Sequence, residues 1–269
     1  MSRLSRPLLS FALSLLLLSV ASGVARADQR ETLHAALEAF DQAVNRAALD
    51  PAGAKPLYAE ALARFQSLRS AGVNSAALCF NLGNTYYRLN DLGRAVLEYR
   101  RAERIAPRDQ RVRRNLSYVR ERVVPSIAPP QSGQLGGALL LGLERLSLWE
   151  RVTITLLLGF AAWGWMSWPM LRRAAPRVSF APLLLAVAAL ALGAHAAWEL
   201  RSDARTPEAV VVERATLRLG RGEGYEPALS DALGPGVELR IIEERAGWAE
   251  VELRDGKRGW IVLTAIERV

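Results

Sequence analysis

The spacing of apolar residues changes character twice along the chain. Up to residue 122 apolar positions recur at helical intervals, from Val152 to Trp198 they are nearly continuous, and after Pro207 they fall in short runs. The last part has strand character. VVVE at 210–213, ATLRL at 215–219, and the runs 237–244, 248–253 and 259–263 are β-rich and separated by Gly, Pro and Asp-Gly turns. Five such runs predict a small closed barrel over 207–269.

The continuous middle predicts membrane helices. Val152 to Leu171 is twenty residues without a charge and Phe180 to Trp198 is nineteen, each near the roughly 20 residues that cross a bilayer. The expected segments are an interfacial helix at 139–151, spans at 152–171 and 178–200, and a turn at 172–177. Arg172, Arg173 and Arg177 place that turn in the cytoplasm, so both flanks lie outside. Trp149, Trp163, Trp165, Trp168 and Trp198 serve as interfacial anchors. A buried helical hairpin in a soluble protein is the alternative reading. At the start, Arg3 and Arg6, an apolar run from Leu8 to Val20, and Ala25-Arg26-Ala27 have the layout of a signal peptide over 1–27. An uncleaved anchor is the alternative, and either sends the chain out of the cytoplasm.

The helical part, 28–124, carries a period of about 34 residues. Counting Ala76 as position 1, Leu82, Gly83, Tyr86, Ala95, Tyr99, Ala102 and Pro107 fall where the tetratricopeptide (TPR) pattern sets them. Small Gly83 and Ala95 let paired helices cross, Tyr86 and Tyr99 fill the space between, and Pro107 stops the second helix. Residues 57–71 read as the second helix of a degenerate earlier repeat, 29–48 as its first, and Asp50-Pro51-Ala52-Gly53 as an enlarged turn. A basic amphipathic helix at 109–122, with Val112, Leu116 and Val119 on one side, caps the array. PSIAPPQSGQLGG opens a linker at 125–138.

In such arrays Phe80, Asn84, Tyr87 and Arg88 face the concave groove, as do Arg111, Arg114 and Asn115 on the next helix. They predict a protein- or peptide-binding groove. A clamp for a terminal carboxylate needs a basic residue where Phe80 stands, and a solvated face is the remaining alternative. Trp248 and Trp260 are candidate ligand-binding residues of the barrel, or packing residues.

Charge and chemistry narrow the function. The chain carries +8 overall, with nine arginines against three acids between 100 and 122. In a cytoplasmic protein that excess points to nucleic acid; export argues against it, and no nucleic-acid partner is expected. Lone Cys79 sits on an apolar helix face and reads as core rather than as a reactive thiol. GRGEGYEP at 220–227 has no Lys-Ser/Thr partner or following helix and reads as a loop, not a phosphate cradle. His34 and His195 are the only histidines, no nucleophile has a base beside it, and no cluster has metal-ligand spacing. No cofactor, metal or enzymatic activity is expected. His195, near the outer end of its span, reads as interfacial rather than as a proton relay.

In this order, the leader, the LGNTYYRLNDLGRAVLEYRRAERIAP repeat, the closing NLSYVRERV segment, two spans and a terminal SH3-like domain resemble the BatE-like TPR and SH3 proteins of Bat aerotolerance operons. The SH3-like part rests on Leu217-Arg218-Leu219-Gly220, Gly236, Trp248, Asp255-Gly256 and Gly259-Trp260-Ile261. The resemblance implies membrane partners with von Willebrand factor A domains, a MoxR-type ATPase nearby, and a role in oxygen or envelope stress. The expected fold is thus a multidomain membrane protein: an all-α TPR solenoid, two transmembrane helices and an all-β SH3-like barrel. The expected function is a periplasmic scaffold of the inner membrane; a cell-wall sensor binding peptidoglycan through the terminal domain is the second reading.

Overall fold

A computed structural model of the protein describes residues 27–127, 146–171 and 180–269. The expected signal peptide, the 172–177 turn, most of the linker and the start of the interfacial helix lie outside the described residues. The chain divides into two compact units, one ending at Asn90 and the other running from Asp91 to Val269.

The first unit holds α1 (27–47), α2 (Pro51–Ser70) and α3 (Ala76–Arg88). The expected turn at 50–53 is instead the first turn of α2. Asp50 caps it by accepting from Gly53 N at 2.9 Å, and Pro51 starts a helix well because its missing N–H would have had no partner there. Ala43, Ala54 and Tyr58 form a small core that Phe40, Leu57 and Leu89 flank, with the Phe40 and Tyr58 rings edge to face at 5.5 Å. Gln66 donates to the Tyr86 hydroxyl at 2.8 Å and ties α2 to α3. Ser75 caps α3, and Asn90 follows it in the left-handed region (φ 64°), a common helix stop.

The second unit begins with α4 (Leu92–Ile105) and α5 (Gln110–Arg120), capped by Asp91 and Asp109. Val112, Leu116 and Val119 of α5 are buried, on the side the sequence marked. β1 (Glu208–Val211), β2 (Glu238–Arg245), β3 (Trp248–Leu253), β4 (Arg258–Val262) and β5 (Ile266–Arg268) make one antiparallel sheet in the order β4-β3-β2-β1-β5. α4 lies on β1. A methyl group at Gly93 would sit 2.8 Å from Val212 Cα and 2.9 Å from the Val211 carbonyl oxygen, so glycine is what permits the contact. Behind α5, Gly234 N–H donates to the Val124 carbonyl at 3.1 Å.

The same unit holds α6 (Leu148–Leu171) and α7 (Ala181–Arg205). They meet through small residues. Ala162, Ala189 and Ala196 are buried, and Gly193 leaves room for the Thr155 methyl, 3.3 Å from where a β-carbon would stand. The large apolar side chains point outward, among them Leu157, Phe160, Trp163, Leu184 and Leu190.

Three parts of the expected architecture are corrected. The 34-residue frame from Ala76 to Pro107 is not one packing unit: the division at Asn90 sends α3 with α1 and α2 and α4 with α5 and the sheet. No TPR solenoid forms, because α4 spends its Gly93 and Val96 surface on the β-region. The barrel is an open sheet, because residues 212–236 make only isolated bridges, Ala215 with Leu233 and Arg218 with Pro227 and Trp260. The run 215–219 is therefore no strand, and the fifth strand is Ile266–Arg268. Glycines and prolines through 220–235 interrupt any longer ladder. Two spans are corrected as well. Among the described residues only Ala181–Trp198, with mean hydropathy 1.8, is long and apolar enough to cross a membrane; the tryptophans, threonines and glycines of α6 dilute its run.

Gly93→Ala should lower stability by about 1–3 kcal/mol, the usual cost of overpacking, although alanine is the better helix former. Gly224→Ala, with nothing within 4 Å, should leave the thermal midpoint of the detergent-solubilised chain unchanged.

Candidate interaction site

α3 has a buried side and an outward side. Cys79, Leu82 and Tyr86 are buried, and Arg69 Nη2 lies 3.2 Å from Cys79 Sγ, so the cysteine is a core residue. Phe80, Asn84 and Tyr87 are half-buried and Arg88 is exposed. Their spacing of four, three and one puts them on one helix face.

In the second unit, Arg111, Arg114 and Asn115 share the N-terminal half of α5. Arg111 grips the capping carboxylate of Asp109, with Nη2 2.8 Å from Oδ2. That hydrogen bond, with the Arg111 charge and backbone N–H groups, holds Asp109 below the usual carboxylate range against the opposing effect of burial. Arg114 reaches toward Gln110. Asn115 donates its amide to the Tyr99 hydroxyl at 3.4 Å, within the α4–α5 pair. The seven expected groove residues thus divide between the two units, four on α3 and three on α5.

Trp248 and Trp260 are brought to one face of the sheet. Trp248 stands opposite Arg245 and Val262, and Trp260 opposite Glu250. Their neighbours in the strands, Ala249, Val251 and Ile261, turn to the buried face, so the tryptophans sit half-buried on the other. His195 lies in α7 with its ring centre 6.3 Å from that of Trp198.

The densest cluster of charge was not visible in the sequence. Glu238, at the start of β2, receives three arginines from three elements. Arg120 of α5 donates from Nε at 2.6 Å and Nη2 at 2.9 Å, Arg254 donates at 2.6 Å, and Arg100 Nε of α4 lies 3.1 Å away. Arg100 also pairs with Glu208 of β1 and, at 2.6 Å, with Glu103. Burial by itself pushes the Glu238 carboxyl up, but the Arg120 hydrogen bond and the charges of Arg120, Arg100 and Arg254 outweigh it, so its pKa falls below the ordinary value. Arg254 moves the other way for a cation: burial and the repulsion of Arg120 and Arg100 outweigh Glu238 and lower its pKa. A cleft of about 490 Å³ opens beside the cluster, lined by Arg100, Glu208, Glu238, Arg240 and Arg254 among others.

Chemically this arrangement is a clamp. Every carboxylate in it is already held by a guanidinium. Among the described residues no group of three His, Cys, Asp or Glu side chains could hold a metal ion. The only advance signal was the arginine excess at 100–122, which named donors without naming their acceptor. The chain matches no protein-family model and no curated protein.

Because the Glu238 pKa is depressed on folding, its contribution to stability is present above the unfolded value, about 4.3, and is lost as pH falls through the lower folded value. Glu238→Gln leaves three arginines facing one another and should cost about 3–5 kcal/mol at pH 7, as breaking a buried pair does. The melting temperature of the variant should also lose the steep fall below about pH 4, which a thermal series from pH 7 to pH 3 would reveal.

Proposed function

We propose that the protein is an interaction scaffold held at a membrane, with α3 offering a recognition face to a protein partner. The observation that carries the reading is the two-sidedness of α3. Cys79, Leu82 and Tyr86 turn to the buried side, while Phe80, Asn84 and Tyr87, half-buried, and Arg88, exposed, share the other. Aromatic rings with an amide and a guanidinium between them combine apolar area with directional hydrogen bonding, the residue mix of interface hot spots.

Supporting membrane attachment are α7, long and apolar enough to cross a bilayer, and the large apolar side chains that α6 and α7 turn outward. We place the recognition face outside the cytoplasm, on the strength of the N-terminal leader pattern. Membrane proteins with von Willebrand factor A domains are the partner class that the resemblance implies, in a system answering oxygen or envelope stress. The chain would act there by holding partners together rather than by catalysis.

Photoreactive residues at Tyr87 and Arg114, activated in native membranes, test this directly. A discrete protein adduct should form at Tyr87, and Asn84→Ala should weaken its capture about 5- to 30-fold, equivalent to roughly 1–2 kcal/mol. Recovery of no adduct from either position would sink the scaffold reading.

A further inference from the structure

We propose that the arginines of the α4–α5 turn and the first turns of α5 bind the anionic headgroups of lipids in the membrane that α7 enters. The proposal rests on the membrane attachment argued above and adds the lipid class and the residues.

Position comes first. Arg108, in the turn between α4 and α5, has its Nη1 3.3 Å from Glu150 Oε1 at the start of α6. The basic turn therefore sits at the head of the apolar hairpin. Beside Glu150, Trp149 is 78% exposed, an aromatic residue where the apolar surface begins and of the type that settles at headgroup level. α5 climbs about 1.5 Å per residue, so Arg113 and Arg114 stand within roughly 10 Å of Arg108 along the chain's path. All are in reach of one headgroup layer.

Charge comes second. Residues 104–114 contain five arginines and a single acid, Asp109. Asp109 is committed to capping α5 and to Arg111. Arg108, Arg113 and Arg114 are exposed; among the described residues Arg108 pairs with Glu150, and Arg114 has the neutral Gln110 beside it. The arginines farther along the same helices differ. Arg100 and Arg120 are turned into the Glu238 cluster. Arg108, Arg113 and Arg114 stay exposed outside that cluster, where an external anion can reach them.

Chemistry comes third. A guanidinium presents a planar fork that matches two oxygens of a phosphodiester, and an anionic bilayer surface favours each nearby basic side chain by roughly five-fold. Zwitterionic headgroups carry the same phosphate with a compensating cation, so the arginines distinguish the two lipid classes by net charge.

The test uses the full chain reconstituted into phosphatidylcholine vesicles with trace spin-labelled phosphatidylglycerol or phosphatidylcholine. Electron spin resonance reads the fraction of each label immobilised by the protein. We expect phosphatidylglycerol to be favoured by about three-fold or more at low salt, with the preference fading in 1 M NaCl, where the screening length shrinks to about 3 Å. Arg113→Gln with Arg114→Gln should bring the ratio close to one, the double lysine variant should retain most of it, and Arg221→Gln, on an exposed loop of the β-region, should leave it unchanged. Equal immobilisation of both labels by the parent chain overturns the proposal while leaving membrane attachment standing. An undiminished preference in the double glutamine variant overturns the assignment to these arginines. Failure of the chain to float with vesicles of either lipid overturns the attachment itself.

Discussion

Glu238 is the group on which the second unit depends. A carboxylate taken largely out of water needs its charge answered at close range, and the three arginines that answer it come from α4, α5 and the end of β3. Their convergence fixes where the helix pair meets the sheet. Apolar contact by itself is tolerant of small slides; a carboxylate with two oxygens and three guanidinium partners is not. Gly93 completes the constraint by letting the α4 backbone come down on β1 at Val211 and Val212. One contact sets the register and the other sets the distance.

This clamp has a topological consequence. α4 and α5 precede the α6–α7 hairpin and the sheet follows it, yet Arg100 and Arg120 reach Glu238 directly. The helix pair before the hairpin and the sheet after it are thereby packed into one body. Small residues at the hairpin seam allow α6 and α7 to pair closely, and their large side chains are left to face whatever surrounds them. Internal packing and external contact are divided between residue sizes, as in helices that associate without a hydrophobic difference between partner and solvent.

Local signals in the chain were read well where the physics is local. The period of Val112, Leu116 and Val119 belongs to a helix whose buried side depends on a few neighbouring residues. Alternation in WAEVEL gave β3 its inward and outward faces. Asp50-Pro51 misled because the same dipeptide opens a turn or starts a helix, and only the hydrogen bond to Gly53 decides which. The run 215–219 misled because strand propensity needs a partner along its length, and Arg218 finds only single bridges there. On α3 Cys79, Leu82 and Tyr86 are buried while Phe80, Asn84 and Tyr87 are half-buried, and on α5 the Asn115 amide turns to Tyr99.

Periodicity and composition act over a few residues, so most helices and strands, the buried side of α5 and the distribution of charge were legible in the chain. Long-range packing settled that α4 belongs with the sheet rather than with α3, that the strands form an open sheet, and that Glu238 is the acceptor for arginines more than a hundred positions away. A repeat frame records which residues are small enough for close approach; it does not record what approaches. Gly93 is satisfied equally by a helix or a strand, and the choice between them is made by the charges that meet at Glu238.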